Sequence, residues 1–187
     1  MAQPKNALIS RICGWAILGL LAVEFAILPY TGHSFDTGVF FAISDSVFFA
    51  HVPPASDWAF GTIGLAAVLL SQFPILVNPA LGTIYPVRLF LLKLPSWFAD
   101  LGTAAIVRRA SDAAYGNYWA LRYLLDPAVI LVTVFHGQWD ALPNLASVAG
   151  IALMMTGKLE LAALLLGLGA GTKFYPAAFV PLLLAVG

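Results

Sequence analysis

Residues 126–140 read DPAVILVTVFHGQWD, and this stretch decides how the rest of the chain is read. It begins as an apolar run of membrane character and stops abruptly at His136, Gly137, Gln138, Trp139 and Asp140. Polar groups at membrane depth normally face a bundle interior or a watery cavity. A spanning helix that delivers a His, a Gln and an Asp to one membrane surface is therefore a functional candidate. The plainer alternative is a helix-end loop that caps itself with ordinary polar residues.

The whole composition agrees with a membrane setting. Of 187 residues, 61% are hydrophobic and 10% charged, with a mean hydropathy of +0.91. Soluble domains carry roughly 25% charged residues, so the expected class is all-α, a multi-pass transmembrane helical bundle. A crossing needs about 20 apolar residues, leaving room for about five to seven segments. Nine basic residues balance nine acidic ones, and no basic patch points to nucleic acid. The single cysteine, Cys13, can form no internal disulfide.

Upstream, Lys5 and Arg11 precede an apolar run over 12–29, which predicts a retained signal anchor with its basic end cytoplasmic. Glu24 lies inside it, either as a functional acid or as a hydrogen-bonded packing residue. Residues 30–57 hold no Lys or Arg but contain His33, Asp36, Asp45, His51 and Asp57, which places this loop outside the cytoplasm. Its middle, VFFAISDSVFFA, is aromatic and too short to span, which suits an interfacial helix. Two apolar blocks follow, over 58–78 and 84–109. If only the second crosses, from about Pro95 to Val107, the Arg108–Arg109 pair falls on the cytoplasmic side as the charge rule prefers. Region 30–94 is then an outer loop with interfacial or re-entrant helices, and Arg88 and Lys93 snorkel at the outer interface.

RRASDAAYGN forms a short cytoplasmic loop before a helix over 118–135. Arg122 and Asp126 sit at i, i+4, where simple pairing is the favoured reading, and Pro127 predicts a kink. Further crossings are expected over 141–156, 160–172 and 176–187, with Lys158 and Glu160 at the cytoplasmic turn. GLGAG, over 167–171, reads as small-residue helix packing. The last run stops mid-helix and reads as truncated, and the chain as a single transmembrane module.

On this topology His33, Asp36, Asp45, His136, Gln138, Asp140 and Lys173 share the non-cytoplasmic side, with Arg88 and Lys93 at its interface. Carboxylate, imidazole and ammonium groups at one membrane surface suit a lipid-phosphate substrate. The cation holds phosphate, and the carboxylate accepts a proton from an attacking hydroxyl. No dinucleotide, P-loop or zinc-protease motif competes. His33, Asp36, His51, His136 and Asp140 are metal-ligand types, but their spacing matches no zinc signature, and neither metal nor cofactor is expected.

The segments KLPSWFADL (93–101), LDP (125–127), HGQWDALPNL (136–145) and GTKFYP (171–176) occur in this order. Together they resemble the N-terminal half of GT-C-fold glycosyltransferases that use polyprenyl-phosphate sugars. Such enzymes include dolichyl-phosphate-glucose-dependent glucosyltransferases and bacterial or archaeal mannosyltransferases. HVPPASDW (51–58) is similar to that family's Tyr-Pro-Pro segment, with Val52 before the prolines. The resemblance implies an inverting, metal-independent hexosyl transfer from a polyprenyl-phosphate sugar to a glycan or lipid-linked acceptor. It maps the catalytic base onto Asp36, with Asp45 as runner-up, and substrate contacts onto His136, Gln138 and Lys173. A prokaryotic cell membrane, or alternatively the endoplasmic reticulum membrane, would house it. The competing readings are a multi-pass transporter and a non-catalytic membrane scaffold or fragment.

Overall fold

A computed structural model of the chain describes residues 4–51, 62–113 and 115–186. The described residues are helical, without strands. The first helix, α1 (Pro4–Ile27), runs on into a 3-10 turn at Leu28–Tyr30, where Pro29 cannot extend the α-helical ladder. After the extended residue Thr31, α2 (Ser34–Phe48) begins with His33 at its N-cap position. Helix α3 (Thr62–Val77) is apolar. A 3-10 turn at Pro79–Thr83 leads into α4 (Tyr85–Ala110), whose first turn holds Pro86 and whose last turn holds Arg108 and Arg109. Both placements favour a helix, since a first-turn proline removes no needed donor and cations complement the C-terminal dipole.

Two helices, Ala7–Tyr30 and Tyr85–Ala110, are long and apolar enough to cross a membrane. A third candidate is broken. Helix α5 (Gly116–Leu124) and α6 (Pro127–His136) meet at a 46° bend. The kink predicted from Pro127 is thus present, and it separates Arg122 from Asp126. The expected pairing of these two residues is absent. The Asp126 carboxylate instead accepts from Ala128 N at 2.8 Å and caps α6, while the Arg122 guanidinium lies 5.8 Å over the Trp119 ring. The helix break removes the i, i+4 geometry that pairing needs.

From Ile130 to His136, α6 is wound as a π-helix, ended by Gly137 at φ 75°. Helices α7 (Ala141–Met155) and α8 (Leu159–Ala170) then form a hairpin, followed by a 3-10 turn at Tyr175–Phe179 and α9 (Val180–Val186). At about 1.5 Å per residue these helices fall short of a hydrocarbon core of about 30 Å. A Cβ on Gly169 would lie 2.8 Å from the Ala146 Cβ, and one on Gly150 would lie 2.9 Å from Leu166. The small residues of GLGAG do let α7 and α8 approach closely.

Helices α1 and α4 run antiparallel. At one end Asn117 donates to the Ser10 carbonyl at 2.9 Å, and Gly116 abuts the Arg108 carbonyl. At the other end Lys93 reaches Thr31. Arg11 and the Arg108–Arg109 pair therefore lie at the opposite end of the bundle from His33 and Asp36. An apolar core beneath that second end packs Phe40, Phe41 and Ile43 of α2 against Val68, Leu89, Leu92 and Trp139. α2 is thus not a helix lying free on an interface, because its aromatic face is buried against α3 and α4.

Candidate functional site

Asp36 lies in the first turn of α2, not in the loop expected from sequence. Its Oδ2 is the point on which three side chains converge. His33 Nδ1 lies 3.2 Å away, one helical turn back, and His136 Nδ1 lies at 3.9 Å. Gln138 Nε2 donates to the same oxygen at 3.2 Å. The two imidazoles stack with centroids 5.2 Å apart, and His33 N donates to the His136 carbonyl at 3.2 Å. The 33–36 segment and the 136–138 segment, a hundred residues apart in the chain, are one structural unit.

What joins them is Lys93. The sequence reading put this residue at the outer interface, but its side chain is fully buried within α4. The ammonium donates to the Thr31 carbonyl, to Thr31 Oγ1 at 2.7 Å and to the Val134 carbonyl at 2.9 Å. Thr31 Oγ1 in turn donates to the Val134 carbonyl at 2.6 Å. Snorkelling fails because α4 continues through Pro95 for 26 residues, so Lys93 stands well inside the helix with acceptors closer than water. Its stem fills the space beside Gly137, where a Cβ would lie 3.0 Å from Lys93 Cδ. Only a glycine suits that turn, both for its positive φ and for this close approach.

Lys173 pairs with Asp140 Oδ1 at 2.5 Å, and Tyr175 Oη donates to the Asp140 carbonyl at 2.9 Å. Burial, and then the Asp140 and Asp100 carboxylates, push the Tyr175 phenol up to about 12. Asp36, Gln138 and Lys173 line one cavity of about 210 Å³ with Phe40, Trp139 and Thr172. A carboxylate, an amide and an ammonium thus share one small, largely apolar pocket at the end of an apolar bundle.

Arg88 and Asp45 do not join it. Arg88 turns inward and grips Asp45 with two hydrogen bonds, at 2.7 and 3.1 Å, while stacking 4.3 Å over the Phe41 ring. Asp45 lies nine residues beyond Asp36, about 14 Å along α2 at the usual helical rise. Arg88 is therefore a tie between α4 and α2, contrary to the expected snorkelling position.

A second polar centre escaped the sequence reading. Asp100 accepts from Thr133 at 2.6 Å and from Tyr123 at 2.7 Å, and Asn144 donates to the Tyr123 oxygen at 3.0 Å. The available signal was an acid inside the apolar helix of KLPSWFADL. Glu24, an acid within the apolar helix α1, accepts from Trp97 Nε1 at 3.0 Å and joins α1 to α4. Trp139 was also passed over. The HVPP-type segment and Asp57 lie outside the described residues, apart from His51, which adopts φ 56°. Among the described residues no group of three or more His, Cys, Asp or Glu side chains could hold a metal ion.

Comparison with known proteins finds no matching family model, curated protein or solved structure.

Proposed function

We propose that the chain is the transmembrane module of a GT-C-type glycosyltransferase in a prokaryotic cell membrane. It would transfer a hexosyl group from a polyprenyl-phosphate donor to a hydroxyl of a glycan or lipid-linked acceptor. The observation that carries this reading is the shared pocket of Asp36 and Lys173 at the end of an apolar bundle. The resemblance of the four motifs in order supports it from the sequence side.

In this reading the acceptor hydroxyl attacks the anomeric carbon while the bond from that carbon to the phosphate oxygen breaks. Asp36 takes the hydroxyl proton, and His33, His136 and Gln138 hold its carboxylate in place. The leaving phosphate gains charge as it departs, and Lys173 stabilises it there, exchanging its Asp140 partner for the phosphate. In many enzymes, fixed donors and cations aimed at developing charge lower the barrier more than any other effect. Lys93 supports the site from behind through Thr31 and Val134, and no step calls on a metal.

The test is transfer from a polyprenyl-phosphate hexose in nanodiscs, measured for this chain and for any longer protein containing it. Loss of a general base lowers rate by about 10²–10⁴-fold. Asp36→Asn should show that loss while donor binding persists. Undiminished transfer by Asp36→Asn, or no donor binding by the unmodified protein, would overturn the reading.

A further inference from the structure

The buried Asp100 lies where the two limbs of the broken span meet α4, and the reaction proposed above makes no use of it. Its Oδ1 accepts from Tyr123 of α5 at 2.7 Å and its Oδ2 from Thr133 of α6 at 2.6 Å, so one carboxylate holds both sides of the 46° bend. Asn144 of α7 donates to the same Tyr123 oxygen at 3.0 Å. Lys93 and Ser96 lie on the same face of α4 as Asp100, because positions i, i+3 and i+7 share one side of a helix. Lys93 donates to the Val134 carbonyl at 2.9 Å, and Ser96 to the Gln138 carbonyl at 3.1 Å. One buried face of α4 thus grips the 133–138 segment at both ends, and the turn between them brings His136 to Asp36.

Packing fixes α6 only in part. A cavity of about 190 Å³ is walled by Ala128, Val129 and Val132 of α6 and by Ala141 and Asn144 of α7. Side chains that face a void forfeit the contacts that would hold them. The hydrogen bonds to Asp100 therefore constrain the direction of α6 where packing does not.

We infer that Asp100 is a positioning residue: by tying Tyr123 and Thr133 it sets the bend between α5 and α6, and so where His136 and Gln138 meet Asp36. Its consequence for catalysis rests on the proposed function, whereas the tie itself is measurable without any activity. It acts through hydrogen-bond geometry and touches no reacting group. Asparagine should therefore replace it, accepting from one hydroxyl and donating to the other, since a hydroxyl does either. Leucine does neither.

Hydrogen exchange in nanodiscs, read by mass spectrometry, reports on the turn through two amides. His33 N donates to the His136 carbonyl, and Gln138 N to the Val132 carbonyl. Asp100→Leu and Thr133→Val should each speed exchange of peptides covering 31–37 and 130–139 by about tenfold or more, as loss of a hydrogen bond to a charged group does. Asp100→Asn should exchange like the unmodified protein. Glu24→Leu cuts the tie between α1 and α4 and should lower Tm while leaving both peptides unchanged. In transfer assays Asp100→Leu should lower kcat by up to about a hundredfold, as a misplacement of about 1 Å can. KM for the polyprenyl-phosphate donor should hold, because Lys173 lies on another segment, and Asp100→Asn should keep its turnover. Should Asp100→Leu fail to fold, Thr133→Val, which removes a single hydroxyl, gives the same readings.

Unchanged exchange in Thr133→Val, or an equal rise in Glu24→Leu, would overturn the positioning role whatever the activity. Faster exchange with undiminished kcat would overturn its part in catalysis. The expected exchange pattern in a protein that transfers no sugar would uphold the tie and overturn the proposed function instead.

Discussion

Replacing Gly137 by alanine tests how rigidly Lys93 supports the turn that carries His136 and Gln138. Gly137 has φ 75°, and Gly157, in the α7–α8 turn, has φ 74°. The two share a backbone strain and differ in surroundings. Nothing lies within 4 Å of a Cβ built on Gly157, whereas one on Gly137 meets Lys93 Cδ at 3.0 Å, Lys93 Cγ at 3.2 Å and Thr37 Cγ2 at 3.4 Å. The left-handed conformation costs an L-residue about 1–2 kcal/mol, and Gly157→Ala should lose about that much. Carbon atoms pack best at about 3.5–4.0 Å, so Gly137→Ala also overpacks. The Lys93 stem cannot retreat, because its ammonium is tied to Thr31 and Val134. Overpacking of a fixed neighbour typically adds about 1–3 kcal/mol, for a total of about 2–5 kcal/mol at Gly137. Thermal unfolding of both variants in the same detergent measures the difference. Equal losses at the two positions would mean that Lys93 yields freely and gives the turn no rigid support.

Lys173→Met should weaken polyprenyl-phosphate binding by tenfold or more with little change in Tm. Lost stability with unchanged affinity would make the Asp140 pair purely structural. Arg88→Met should do the reverse, lowering stability by about 1–3 kcal/mol through loss of hydrogen bonds to a charged group while leaving donor affinity intact, as denaturation and binding assays would reveal. In a Cys13→Ala background, an impermeant thiol reagent added outside cells should modify Ala50→Cys and spare Asp112→Cys. Modification of both positions would contradict placement of the two ends of the bundle on opposite sides of the membrane.

Much of the architecture was legible because it depends on local chemistry. The apolar content implied helices long enough to cross a membrane, Pro127 marked the break after Leu125, and Gly169 of GLGAG marked the close α7–α8 contact. The meeting of His33, Asp36, His136 and Gln138 followed from putting polar segments at the same end of successive helices. What was not legible depends on long-range partners. The acceptors of Lys93 lie 62 and 41 residues away, and Asp45 lies 43 residues from Arg88. Charge patterning sends such cations to the nearest water, since it carries no information on carbonyls supplied by a neighbouring helix. Pro95 led to a helix start placed too late, although α4 accommodates it internally. The Arg122–Asp126 spacing misled because i, i+4 geometry presumes an unbroken helix. Trp139 was hidden for a different reason. A tryptophan at the end of an apolar run is ordinary, and only the packed structure reveals that its N–H is unmet.

The π-wound turns of Ile130–His136 carry one residue more than α-helical winding of the same stretch would, because each hydrogen bond there spans five residues instead of four. Deleting one residue early in the run would let it relax into an α-helix, with the residues beyond it close to their present directions. Inserting one would instead rotate every residue beyond it by about 100° around the helix axis, and His136 and Gln138 would leave Asp36. Natural variants of this gene should therefore carry a single-residue gap between 130 and 133 more readily than a single-residue insertion.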